Sequence, residues 1–166
     1  IMARESSFDI VSTVDLQEVD NAYQQTAREL AQRYDLKQTG ATIGFAKRDA
    51  TITIGAPSQF VCGQVRDVLG SKLAKRQIEL LALRWGTIEP AAGASVRQSA
   101  AIVQGIDKET AKRISKDIRD LKLTCKATIE GDKLRVSSPS RDTLQQVIST
   151  LRNNDYGQPL QFVNYR

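Results

Sequence analysis

Three cations, Lys126, Lys133 and Arg135, are interleaved with hydroxyl residues in the stretch "LTCKATIEGDKLRVSSP". Two β-rich runs there flank Glu130-Gly131-Asp132, a turn of hairpin composition. Alternate side chains of a strand share one face of its sheet. Leu123, Cys125, Ala127 and Ile129, with Leu134 and Val136, therefore form an apolar face, while Thr124, Lys126, Thr128, Lys133, Arg135 and Ser137 point the other way. Lysine and arginine bring charge, and serine and threonine bring neutral donors, which together suit a phosphate ligand. Arg97 in "SVRQSAAIVQG" is a weaker candidate of the same kind.

Other chemistries find little support. The chain has no histidine for acid–base work, and no G-x-S-x-G elbow, P-loop or G-x-G-x-x-G run. Cys62 and Cys125 lack the neighbours that zinc sites need and are expected to be two buried thiols. Asp15 and Glu18, like Asp107 and Glu109, stand where helices begin, where the helix dipole favours carboxylates. The expectation is a non-enzymatic protein without cofactor or metal.

Composition is that of a globular chain of one or two small domains: 166 residues, 40% apolar and 26% charged. No apolar run approaches the roughly 18 to 20 residues of a membrane span, and the start lacks a secretory pattern, so a cytoplasmic location and no membrane partner are expected. Net charge is +5, with most of the excess in the second half, which mildly favours anionic partners.

The elements that must position these residues come in an order that appears twice. Ser6 to Val14 alternates, and Asp15 with Glu18 opens a helix carrying Leu16, Val19, Tyr23, Ala27, Leu30 and Tyr34 at spacings of three and four. "ATIGFAKRDATITIGAP" is a hairpin, Ser58 opens a second helix, and "IELLALRW" is the next strand. "TIEPAAGA" has linker composition. Then "SVRQSAAIVQG" is a strand, Asp107 caps a helix, the basic hairpin follows, Ser140 caps a last helix, and "GQPLQFVNYR" ends the chain as a strand. Two runs of β-α-β-β-α-β predict an α+β protein of two tandem ferredoxin-like sandwiches, residues 6–86 and 95–166, joined by a linker at 87–94. Each sheet keeps one uncovered, polar face. RNA-recognition motifs use this fold with aromatic residues on the third strand, but "ATITIG" and "KLRVSS" have none, which disfavours base-stacking readout of RNA sequence.

The stretches "SSFDIVSTVDLQEVDNA", "LAKRQIE", "QGI…AKRISKDIRDLKL…IEGDKLRV", "SRDTLQQVI" and "GQPLQFVNYR" together resemble the YajQ family of bacterial nucleotide-binding proteins, collinearly and over nearly the whole chain. That resemblance implies a tandem of ferredoxin-like domains that exchange their N-terminal strands, 6–13 joining the second sheet and 95–104 the first. It implies a nucleotide ligand, with cyclic di-GMP the leading candidate and GTP another, and no enzymatic activity. The alternative is an RNA-associated or protein-interaction adaptor whose basic sheet faces meet tRNA or a transcriptional regulator. Lys126, Lys133, Arg135 and Arg97 are the candidate ligand-binding residues. If the basic hairpin is not the site, the fallback is a cleft between the domains near Arg84, Trp85 and Arg97.

Overall fold

The computed structural model describes residues 4–166, which form two compact units, one of residues 4–13 with 104–166 and the other of residues 14–103.

In the first unit, β1 (Ser6–Val11) is followed after the excursion to the other unit by α3 (Lys108–Asp120), β7 (Lys126–Glu130), β8 (Lys133–Ser138), α4 (Arg141–Asn153) and β9 (Gln161–Val163). The helices start where side chains can take their free N–H groups. The Asp107 carboxylate accepts from the Thr110 amide at 2.7 Å, and the Ser140 hydroxyl from that of Thr143 at 3.2 Å. Gly131, at φ 63°, makes the tight hairpin turn that lets β7 and β8 pair. The antiparallel sheet runs β7-β8-β1-β9, so the N-terminal strand is central, with Phe8 opposite Val136, Asp9 opposite Arg135 and Ile10 opposite Leu134. Phe8, Ile10, Leu134 and Val136 are buried with Ile114, Ile118, Val147 and Ile148 of the two helices, and this is the core.

The second unit holds α1 (Leu16–Gln32), β2 (Thr42–Ala46), β3 (Thr51–Ala56), α2 (Gln59–Lys75), β4 (Leu83–Trp85), β5 (Glu89–Pro90) and β6 (Val96–Ile102). Its sheet runs β2-β3-β6-β4, with β5 also on β6. Ile52, Ile54, Ala100 and Ile102 turn inward against Val19, Val65, Leu69 and Leu73. In these sheets β1 lies between β8 and β9, and β6 between β3 and β4.

Several local expectations change. The segment 87–94, read as a linker, lies within the second unit, and its β5 pairs Glu89 with Arg97 and Pro90 with Val96. "IELLALRW" is not one strand, because a 3-10 turn at Leu80–Ala82 holds Leu80 and Leu81 out in solvent and only Leu83–Trp85 pairs. Tyr34 lies beyond the end of α1 and is 88% exposed, so the helix's inner face is Val19, Ala22, Thr26 and Leu30. Ile129 sits beside the hairpin turn on edge strand β7 and is 41% exposed rather than buried. β9 is regular only to Val163. Asn164 then takes a left-handed φ of 57°, and pairing resumes when Ser7 and Arg166 exchange two backbone hydrogen bonds of 3.2 and 3.0 Å.

Candidate functional site

The uncovered face of the first unit's sheet is organised in rows that cross its strands. One row runs Thr128, Arg135, Asp9, Val163. The exchanged strand thereby sets a carboxylate beside the cations expected to receive phosphate. Arg135 donates Nε–H to Asp9 Oδ1 at 3.1 Å, Lys133 Nζ lies 3.5 Å from Oδ2, and Asn164 donates to Oδ2 at 2.8 Å. Arg135 also approaches Glu130 at 3.9 Å. Asp9 is only 1% exposed beneath these partners. Loss of water alone would raise its pKa, but the hydrogen bonds from Asn164 and Arg135 and the charges of Lys133 and Arg135 outweigh it and hold the carboxyl below the ordinary range. Lys133 and Arg135 are therefore largely spoken for, each about one-third exposed with its charge matched inside the protein.

The neighbouring row is different. Lys126 stands opposite Ser137, Ser137 opposite Ser7, and Ser7 pairs with Arg166. Neighbouring strands are about 4.8 Å apart, so this row spans about 14 Å with a cation at each end and two hydroxyls between. Both cations are exposed, and among the described residues neither forms an ion pair. Sequence reasoning found Lys126 and Ser137 but missed Ser7 and Arg166, because a row across four strands is visible only once β1 is known to be central.

Arg97 belongs to the other unit, on the uncovered face of its sheet, opposite Gly55 and Glu89, with Glu89 at 3.7 Å. Arg84 lies opposite Ala101 on that same face. Trp85 faces the helices instead, packed against the core with the Arg66 guanidinium 5.9 Å above its ring. The three fallback residues thus do not share a face.

Burial pushes both thiols up, Cys62 despite the nearby charge of Arg66, so both stay protonated at neutral pH. Burial and the hydrogen bond to Asp117 raise the Tyr156 hydroxyl to about 12, a structural anchor with Asn154 donating to it and Arg113 over its ring. Among the described residues no three acidic or sulfur ligands gather to hold a metal, and no helix is long and apolar enough to cross a membrane.

Residues 6–166 match the family model of nucleotide-binding protein YajQ-like. The chain is 44% identical over 165 residues to a protein of Chloroherpeton thalassium, covering 99% of this chain and 100% of that one. It is 48% identical over 160 residues to one of Magnetococcus marinus, covering 96% and 98% of the two chains. With one of Koribacter versatilis it is 48% identical over 162 residues, 98% of each chain. All three relatives are named nucleotide-binding proteins.

Proposed function

The chain belongs to the family of YajQ-like nucleotide-binding proteins, and on that premise we propose that it binds a nucleotide through its phosphates, non-enzymatically and in the cytoplasm. The observation that carries the reading is the row Lys126, Ser137, Ser7, Arg166, whose two cations, without ion pairs among the described residues, flank two hydroxyls on an uncovered sheet face. The long side chain at each end can hold a phosphate over the hydroxyl beside it, and each charge-assisted hydrogen bond there is stronger than a neutral one. Lys133 and Arg135 lie on the same face of β8, nearer its hairpin turn. Asp9 orients them and lowers their net charge, so their part is smaller. Cyclic di-GMP is the specific ligand proposed, since its two phosphodiesters match a site with two separated cations.

Titration calorimetry with cyclic di-GMP and GTP at two salt concentrations tests this. Lys126→Ala and Arg166→Ala are each expected to weaken binding by about 1.5 to 3 kcal/mol, roughly ten- to a hundredfold, and Lys133→Ala by much less. Equal binding by the Lys126→Ala/Arg166→Ala double variant and the parent would remove the row from consideration. Binding of tRNA alone, collapsing steeply with salt, would favour the adaptor reading over a nucleotide ligand.

A further inference from the structure

The row ends at a cavity. Beside Arg166 and Ser7, a hollow of about 300 Å³ opens between the first turn of α4 and the end of the sheet, lined by Ser6, Arg141, Leu144, Gln145 and Tyr165. Its volume is at the lower limit of small-ligand sites, which run from about 300 to 1,000 Å³. Leu144 is buried and gives an apolar floor. Tyr165 is 58% exposed, its ring centroid 6.2 Å from that of Phe8, so one side rests on the core while the ring remains accessible. Arg141 holds the first position of α4, where the helix dipole opposes a cation, and among the described residues it has no ion-pair partner. A second cavity of about 320 Å³ beneath Trp85 offers less, since leucines line much of it and its Arg66 is engaged by Trp85 and Gln98.

We propose that this cavity is a guanine-selective base subsite in which the ring stacks on Tyr165 and its Hoogsteen edge faces Arg141. The inference rests on the nucleotide-binding reading above and extends it from the phosphates to the base. Arginine only donates hydrogen bonds, and guanine presents two acceptors, O6 and N7, on that edge. Adenine replaces O6 with an amino donor, which would leave donor facing donor. Gln145 carries both a donor and an acceptor for the remaining polar edge. The phosphate of the same nucleotide then reaches Arg166, the cation at the row's end that also lines the cavity.

The test is titration calorimetry of the full chain with GTP against ATP and cyclic di-GMP against cyclic di-AMP, for the parent, Tyr165→Leu, Tyr165→Phe, Arg141→Ala and Lys126→Ala, each checked for an unchanged melting curve. The guanine forms are expected to bind the parent more tightly. Tyr165→Leu should weaken them roughly five- to a hundredfold, the worth of one base stack, while Tyr165→Phe keeps the ring and binds like the parent. Arg141→Ala should erase the guanine preference, and Lys126→Ala should weaken guanine and adenine forms alike. Equal binding of the two bases by the parent, or parent-like guanine binding by Tyr165→Leu and Arg141→Ala, overturns the subsite and leaves the phosphate row standing. A parent that binds no nucleotide overturns both readings.

Discussion

Asp9 decides what the uncovered face of the first sheet can do. Its carboxylate accepts from Asn164 and Arg135 and lies under Lys133, three partners that cost Asp9 its contact with water and hold it charged. Replacing it with Asn keeps the shape but removes the charge, and Lys133 and Arg135 are exposed enough to turn to solvent. The expected cost is therefore about 1 to 3 kcal/mol, below that of breaking a fully enclosed pair. The folded-state pKa is lowered, so the unfolded chain binds the proton more readily as pH falls. Asp9 thus contributes stability that is present above its ordinary value of 3.8 and lost as pH drops through the lower folded value. Urea titrations should show the gap between parent and Asp9→Asn closing in that acid window, and a gap independent of pH would refute the charge argument. This residue also marks the limit of reading the site from sequence. Alternation alone gave Lys126, Lys133 and Arg135 a common face, and the register agrees. Their charges could be weighed only after β1 was set between β8 and β9, and that placement depends on pairings more than 120 residues apart in sequence.

At the scale of elements, the helices were the most legible, because caps and spacing act locally. Asp15, Ser58, Asp107 and Ser140 all cap the helices that follow them. Strand ends were harder. The apolar run Ile78 to Trp85 has strand composition, yet Gln77 at φ 63° and the turn at Leu80–Ala82 leave only three residues to pair. The last strand is short as well, but its ties are many. Ile10 stands opposite Phe162, the Gln161 side chain accepts from the Thr13 amide at 2.8 Å, and Arg166 pairs with Ser7. Removing residues 160–166 takes away one of four strands along with Leu160 and Phe162, which pack on the core, and leaves Asp9 without Asn164. The truncated protein should lose cooperative melting of the first unit, since a small sheet cannot spare an edge that closes its core. Amide exchange would show protection lost around Ile10 and Leu134, and a parent-like exchange pattern would mean that the strand is a dispensable tail.

The whole molecule is tied together by its two central strands. β1 comes from the start of the chain but lies between β8 and β9, and β6 comes after β4 but lies between β3 and β4. A central strand carries backbone pairing on both sides, so its loss divides a sheet where loss of an edge only narrows it. Cutting the chain in the exposed turn at Gly93 would give one fragment holding β1 without the rest of its sheet, and a second holding β6 in the same position. Neither fragment can complete a core alone. The first lacks Ala100 and Ile102, buried with Ile52 and Leu69, and the second lacks Phe8 and Ile10, buried with Leu134 and Val147. The expected outcome is that separately produced residues 4–93 and 94–166 each show no cooperative thermal transition. Mixed, they should form a one-to-one complex that melts as a unit and dissociates in denaturant. Size-exclusion chromatography and circular dichroism read both results. A second fragment that folds by itself, with Leu134 protected from amide exchange, would mean that β1 is only an accessory to its sheet.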